Sequence, residues 1–251
     1  MNDPLKPHKR LSELPFYVTP SHPCSYLDDR QASTVFVDPT FPLTMEHYEQ
    51  LAALGFRRSG DHVYRPNCTH CKLCIPVRIP VNSFQPNRNQ RRCLRKNKDI
   101  SIRTLEADFN EEHFKLYRHY MSSRHAGGGM DKDDPEAYQS LISAHWCNTQ
   151  LLEFHLQENL VAIAVLDQFQ QGMSAVYTFF DPSLDRRSLG VFAILTEIHR
   201  VQEAGFPYLY LGYWNPQTVK MAYKSNYAPM EYLEHTGWHS MEDNPLFKTG
   251  K

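Results

Sequence analysis

The chain has 251 residues, of which 41% are hydrophobic and 22% are charged, and its formal net charge is −1. This composition excludes wholesale disorder, and no apolar run approaches the roughly 18 residues that a membrane-spanning helix requires. The N-terminus is charged and interrupted by prolines, so we expect no signal peptide, a cytoplasmic protein, and six cysteines that are thiols or metal ligands rather than disulfides.

The first 105 residues are rich in proline and cysteine and predict few regular elements. Thr44 is a candidate cap for a helix whose apolar residues recur every three or four positions, and Gly55 follows where a helix C-terminal glycine belongs. Ser59-Gly60-Asp61 predicts a hairpin turn, and the stretch 75–84 alternates as a strand does.

Beyond residue 105 the pattern predicts a regular succession of helices and strands. Asn110 and Asp134 are candidate helix caps, and Pro135 follows Asp134 at the first helical position. Three apolar stretches separated by short turns predict an antiparallel meander over 151–156, 160–169 and 173–180. The predicted order ends with a loop over 181–189, a helix over 190–204, a strand over 208–213, a short helix over 216–224 and a strand over 230–233.

This order of elements is also that of the acyltransferase core called GNAT. We therefore expect an α/β fold in which a cysteine-containing, basic N-terminal region, 1–105, packs on a GNAT-like transferase domain, 106–251. In that fold the acyl donor lies at a loop and helix start after the central strands, in keeping with anion binding at helix N-termini. Here those N–H groups would belong to Ser188, Leu189 and Gly190.

Positive charge is concentrated in one part of the chain. From His62 through Lys98 there are nine basic residues and no acidic one, and the rest of the chain holds 18 basic against 28 acidic residues. Such a stripe makes a local field suited to polyanions. Its densest part, 87–98, is either a solvated surface helix or a binding site for the phosphates of a nucleic acid such as tRNA. The candidate tRNA contacts are Arg88, Arg91, Arg92, Arg95 and Lys96.

Four cysteines are candidate metal ligands. Cys68, Cys71 and Cys74 are spaced by two residues each, and Cys24 is a candidate fourth ligand from elsewhere in the chain. Thiolates at this spacing are able to converge on one zinc ion or iron–sulfur cluster. The alternative is that these are ordinary reduced cysteines.

Eight short stretches together carry a family resemblance: CSYL at 24–27, GFRRSG at 55–60, YRPNC at 64–68, PVRIPV at 76–81, QRR at 90–92, RSLG at 187–190, YLYLGYW at 208–214 and KMAYK at 220–224. In this order they resemble the arginyl-tRNA–protein transferase family, and within it the branch of short bacterial aspartate/glutamate leucyltransferases. The resemblance extends over nearly the whole chain.

The resemblance implies that the protein takes leucine from leucyl-tRNA and attaches it to proteins that begin with Asp or Glu, which marks them for degradation by the N-degron pathway. The implied partners are leucyl-tRNA and these acceptor proteins, with no membrane and no DNA. Eukaryotic relatives hold a metal or iron–sulfur cluster with a Cys-x-x-Cys and a Cys-Cys pair. Leu27 and Lys72 stand here where two of those cysteines would be.

The implied reaction is aminolysis of an ester, for which no cofactor is required. An α-amine has a pKa of about 7.7–8.0, so a useful fraction is neutral at pH 7, and holding the substrates in line supplies much of the acceleration. Arg57, Arg58 and Arg78 are candidates to bind the acidic side chain of the acceptor, or else form structural salt bridges. Trp214 is a candidate to stack on the terminal adenine, and Tyr213 to transfer a proton to the leaving 3′-hydroxyl.

Two other functions stay open. A GNAT-type N-acyltransferase that uses acyl-coenzyme A would need an Arg/Gln-x-x-Gly-x-Gly/Ala loop, and residues 186–190 offer only one glycine. A non-enzymatic tRNA-binding module would bind tRNA whether or not it is charged, and would transfer nothing.

Overall fold

The computed structural model describes residues 11–124 and 134–248. The α-helices of these ranges are α1 Met45–Ala53, α2 Arg88–Lys96, α3 Glu111–Arg124, α4 Pro135–Ile142, α5 Leu189–Glu203, α6 Val219–Ala222 and α7 Pro245–Lys248. The strands are β1 Phe16–Val18, β2 His22–Pro23, β3 Gln31–Ala32, β4 Thr34–Val37, β5 Arg57–Ser59, β6 His62–Pro66, β7 Ile75–Pro80, β8 Ile100–Glu106, β9 Thr149–Leu156, β10 Asn159–Gln168, β11 Gly172–Phe180, β12 Tyr208–Trp214, β13 Glu231–Glu234 and β14 Gly237–Ser240.

An eight-stranded, mostly antiparallel sheet forms the centre of the molecule, in the order β14-β13-β7-β12-β11-β10-β9-β8. Alternate residues of its central strands enter two separate cores, as the period of a strand requires. Leu152 and Ala164 pack with α5 on one face, whereas Leu151 and Ile163 pack with α3 and α4 on the other. The central strands are apolar throughout because both of their faces are buried.

A second sheet of four strands, in the order β1-β4-β6-β5, carries α1 on its inner face. Val37 and Val63 of this sheet pack there against Leu51. The expected mixed α/β class is confirmed. The two sheets do not divide the chain near residue 105, because β7 and β8 both belong to the larger sheet.

The helix caps predicted from the sequence are present. Thr44 and His47 form a capping box at the start of α1, Asn110 accepts from the backbone N–H groups of Glu112 and His113, and Asp134 caps α4. The meander of β9, β10 and β11 is antiparallel, as expected.

Two predicted elements are shorter in the structure. The strand expected over 75–84 ends at Pro80, where a 3-10 turn begins. The helix expected over 216–224 is reduced to α6, followed by a 3-10 turn over 223–226. In the described ranges, no helix is both long and apolar enough to cross a bilayer.

Candidate active site

The two central strands β11 and β12 run parallel but pair over only three residues, from Gly172–Tyr208 to Ser174–Tyr210. Beyond that point both strands continue without pairing to each other, to Phe180 and Trp214 respectively. A gap therefore opens in the middle of the sheet, between Ala175–Val176 and Leu211–Gly212. We call this gap the strand opening.

Arg57 reaches from β5 into the strand opening. Its Nη2 donates to the carbonyl of Ala175 at 2.6 Å and to that of Val176 at 3.4 Å, while its Nη1 is buried without a hydrogen-bond partner among the described residues. Gly212 faces this guanidinium with a φ of +76°, and a Cβ there would lie 2.6 Å from Nη1 of Arg57. The close approach thus requires glycine both for space and for backbone conformation.

Charged and phenolic side chains surround the Arg57 guanidinium. Glu197 of α5 is fully buried, and within the described chain neither of its carboxylate oxygens has a hydrogen-bond partner. Burial raises its pKa to about 8, and Arg57 opposes this rise. Burial lowers the pKa of Lys224 to about 7, with a further lowering by Arg57, and its Nζ donates to the carbonyl of Tyr213 at 2.6 Å.

Tyr223 connects this cluster with the surface. It is 43% exposed, and its pKa is raised to about 12 by burial of the phenol and then by Glu197. A basic and an acidic group thus face one opening, and neither Nη1 of Arg57 nor the Glu197 carboxylate is satisfied there. Such buried polar atoms are uncommon in native proteins and mark places where a ligand or water completes the hydrogen bonding.

The start of α5 lies beside the basic helix α2. Ser188 adopts the left-handed conformation, with φ 55°, and its carbonyl accepts from the N–H groups of Val191 and Phe192. Leu189 is buried, and a Cβ on Gly190 would lie 3.3 Å from the ring of Phe180. The first N–H groups of a helix have no intrahelical partner, so this end is suited to an anion.

Helix α2 is held against α5 by its buried face. Asn97 donates to the carbonyl of Arg187 at 2.9 Å, the thiol of Cys93 contacts the carbonyl of Ser188, and Gln90 donates to that of Asn226 at 3.0 Å. The predicted tRNA contacts occupy the opposite face, and all of them are exposed: Arg88, Arg91, Arg92, Arg95 and Lys96. The positive surface therefore lies next to the start of α5.

The structure does not support a substrate-binding role for Arg58. Its side chain is 0% exposed and forms a two-pronged ion pair with Asp167 at 2.6 and 2.7 Å, with a further bond to the hydroxyl of Thr149 at 3.1 Å. Although burial alone lowers the pKa of Arg58, the charge and hydrogen bonds of Asp167 raise it above its ordinary value. Arg58 is therefore part of the protein interior.

Arg78 is also held by the protein itself. Its Nε donates to Glu231 at 2.7 Å, and its guanidinium lies 3.6 Å from the ring centroid of Tyr208 and 4.3 Å from that of Trp238. The planar fork is thus paired with a carboxylate and stacked between rings. The side chain is only 11% exposed.

Tyr213 and Trp214 are interior residues, contrary to the roles predicted for them. The Tyr213 hydroxyl donates to the carbonyl of Gly55 at 2.9 Å, and burial raises its pKa well above the ordinary range. Trp214 is 3% exposed and packs in the main core with Phe247, so no face of its ring is open to an adenine.

The four candidate cysteine ligands line one cleft of about 640 Å³, together with Lys72. Burial raises the pKa of Cys74 to about 11, with contributions from the other three thiols. The donor set has the chemistry that zinc or iron prefers. However, no three His, Cys, Asp or Glu side chains in the described ranges are arranged to hold a metal ion. The metal site stays a prediction, and no reaction step is assigned to it.

The sequence-based search missed Glu197 and Lys224. Glu197 recurs at the spacing of Leu189 and Ala193, so an acidic residue stands on the apolar face of α5, and that pattern was a usable signal. Lys224 ends one of the stretches that carry the family resemblance. Its burial depends on contacts that no local pattern reveals.

Comparison with known proteins shows the family to which the chain belongs. Residues 22–92 match the family model described as Arginine-tRNA-protein transferase, N terminus, and residues 112–234 match the one described as its C terminus. The chain belongs to the arginine-tRNA-protein transferase family. It is 48% identical over 229 residues to the Aspartate/glutamate leucyltransferase of Saccharophagus degradans, covering 91% of this chain and 97% of the relative. It is 45% identical over 240 residues to that of Teredinibacter turnerae, covering 95% and 99% respectively.

Solved structures show weaker similarity. FemX has a TM-score of 0.41 at 11% identity, over 72% of this chain and 75% of that one. L-PGS from Bacillus licheniformis has a TM-score of 0.41 at 11% identity, over 68% and 50% respectively.

Proposed function

We propose that this protein transfers leucine from leucyl-tRNA to the N-terminal Asp or Glu of proteins and thereby marks them for N-degron degradation. The observation that carries the proposal is the similarity to relatives named aspartate/glutamate leucyltransferase, at 45–48% identity over more than nine-tenths of the chain. The reaction uses a cytoplasmic substrate, charged tRNA, and involves neither DNA nor a membrane.

The geometry supports separate binding regions for the two substrates around the strand opening. The exposed cations of α2 neutralise phosphates of the tRNA, and the neighbouring start of α5 receives its 3′ end. Arg57 offers the unpaired Nη1 to the acidic side chain of the acceptor. The sheet interior excludes water and holds the two substrates in line, which in a GNAT-like core is where acyl transfer takes place.

Aminolysis of the ester then needs only an amine in its neutral form. The ester is already activated by its attachment to tRNA, so neither ATP nor a covalent enzyme intermediate is required. Transfer in this scheme uses no cofactor. A zinc ion or iron–sulfur cluster in the cysteine cleft would stabilise the N-terminal region and take no part in the chemistry.

The test is a transfer assay with the purified full chain. Radiolabelled leucyl-tRNA is incubated with peptides that begin with Asp, Glu, Ala or Lys, and labelled peptide is counted. We expect label on the Asp and Glu peptides and far less on the other two. Equal labelling of all four peptides would contradict the role of the acidic side chain. Transfer from leucyl-coenzyme A and not from leucyl-tRNA would show an ordinary acyl-coenzyme A enzyme.

A further inference from the structure

The fully buried carboxyl group of Glu197 takes no part in the hydrogen bonding of the described residues. It lies on the inner face of α5 between apolar residues, and neither oxygen accepts a hydrogen bond from any described residue. A buried acceptor without a donor is destabilising. The side chain is therefore placed for a donor that arrives with a ligand.

The charged and phenolic groups that face Glu197 come from two other segments. Arg57 faces it from β5, Tyr223 from the 3-10 turn that follows α6, and Tyr227 from the residue directly after that turn. Among the described residues Arg57 keeps Nη1 unpaired, and its charge acts on Glu197, so one interior region combines an unsatisfied carboxyl group with an unsatisfied cation. Tyr223 connects this pair with the solvent, since it is 43% exposed.

An N-terminal acidic residue carries the complementary pair of charges. Its α-ammonium and its side-chain carboxylate are separated by only a few bonds. The donor leucyl group does not match, because its carboxyl is esterified and its side chain is apolar. We propose that Glu197 binds the α-ammonium of the acceptor and takes its proton, while Arg57 binds the acceptor's carboxylate. This inference rests on the proposed function.

The proton balance of the step is complete. Glu197 accepts one proton from the α-ammonium, which leaves a neutral amine. The amine nitrogen attacks the ester carbonyl carbon and forms the C–N bond, and the bond from that carbon to the ribose 3′-oxygen breaks. The second proton of the nitrogen goes to the 3′-oxygen, so the products are an amide and a free hydroxyl. Glu197 releases its proton to solvent when the product leaves.

The pKa of Glu197 is close to the pKa of the α-ammonium that it would deprotonate. Burial brings the pKa of Glu197 to about 8, near the value of about 7.7–8.0 for an α-amine. Proton transfer between groups of similar pKa near the working pH is favourable for general-base catalysis, which typically contributes a factor of about 10²–10⁴.

The decisive experiment measures kcat/KM for leucine transfer to an Asp peptide from pH 6 to pH 9, for the full chain and for Glu197→Gln. The matched control is Glu203→Gln, which changes an exposed carboxylate on the same helix that pairs with His199 and Arg200. We expect the wild-type profile to peak near pH 8, where the ionised carboxylate of Glu197 and the α-ammonium coexist. Glu197→Gln should lose on the order of 100-fold there and should rise steadily towards pH 9 as the amine becomes neutral. The control should follow the wild-type profile.

Three further measurements keep the outcome clear. Glu197→Asp should retain the shape of the wild-type pH profile at a lower rate. Leucyl-tRNA binding should be unchanged in Glu197→Gln. Calorimetry should show that the wild-type chain prefers a free N-terminal Asp peptide to its N-acetyl form about tenfold or more, and that Glu197→Gln loses this preference.

A loss of activity that is the same at every pH, or a Glu197→Gln variant with the wild-type rate and peptide preference, would overturn the assignment. Failure of the proposed function is distinguishable, because the wild-type chain would then transfer no leucine at any pH. In that case the calorimetric comparison alone decides whether Glu197 recognises an α-ammonium. Folding is checked by thermal melting: the raised pKa of Glu197 costs stability as pH rises through about 8, so the neutral Gln variant should melt no lower than wild type at pH 9.

Discussion

The buried ion pair between Arg58 and Asp167 separates a structural arginine from a substrate-binding one. Both side chains are 0% exposed, and Thr149 also donates to Asp167 at 2.7 Å. In Arg58→Met the carboxylate of Asp167 stays buried and loses its charged partner, keeping only neutral donors such as Thr149 and Cys147 among the described residues. Breaking a buried pair in this way costs about 3–5 kcal/mol. For a chain of this size, that corresponds to a melting temperature lower by about 6–20 °C.

The assay is urea unfolding at pH 7, followed by circular dichroism and by transfer kinetics of the folded variant. Arg65→Met is the control, because Arg65 lies on the neighbouring strand β6 and has no buried carboxylate partner among the described residues: it donates to the carbonyl of Leu54 and lies over the ring of Phe56. Its loss should stay within about 1 kcal/mol. Replacing both members of the pair, in the double variant Arg58→Met with Asp167→Leu, should restore most of the lost free energy of unfolding. An apolar pair of similar volume leaves no charge buried without a partner.

Two outcomes of these measurements would contradict the structural role of Arg58. If Arg58→Met unfolds within about 1 kcal/mol of wild type and raises KM for the Asp peptide, the guanidinium reads the acceptor and the interior role is wrong. If the loss in free energy of unfolding of the double variant equals the sum of the losses of the two single variants, the two residues are not coupled as a pair.

The remaining predictions concern the strand opening and helix α2. Gly212→Ala should destabilise the fold by about 1–3 kcal/mol, because φ is +76° there, and should raise KM for the acidic peptide, because the new Cβ would lie 2.6 Å from the Arg57 guanidinium. Unchanged KM in the folded variant would contradict the placement of the acceptor. Replacing Arg91, Arg92 and Arg95 together by Ala should lower the slope of log Kd for tRNA against log salt by roughly 0.7–0.9 for each lost phosphate contact. Wild-type affinity and slope in that variant would make α2 an ordinary solvated helix.

Much of the secondary structure follows from local signals. Thr44, Asn110 and Asp134 cap helices because their side-chain oxygens bond to N–H groups two or three residues along the chain, a contact that needs no distant partner. The meander follows in the same way from apolar runs bounded by turn residues. The exposed basic face of α2 was also predictable, because the stretch from His62 through Lys98 contains no acidic residue.

The site itself was decided by contacts between distant parts of the chain. Arg57 and Arg58 are neighbours on β5, so their side chains point to opposite faces, and the sequence does not say which face meets the strand opening. Asp167, the partner of Arg58, is 109 residues away. The sequence made Tyr213 and Trp214 candidates for contact with the tRNA end, but other elements cover both residues in the fold.

Sequence alone therefore determined the family resemblance, the helix starts, the central strands and the position of the positive charge, all of which depend on residues close together in the chain. The tertiary structure decided which arginine faces the gap between β11 and β12, that Glu197 has no hydrogen-bond partner among the described residues, and that the four cysteines share one cleft. The physical reason is that the burial and pairing of a side chain depend on residues that are distant in the chain. In addition, neighbouring residues of a strand point to opposite faces, so a shift of one residue exchanges a buried side chain for an accessible one.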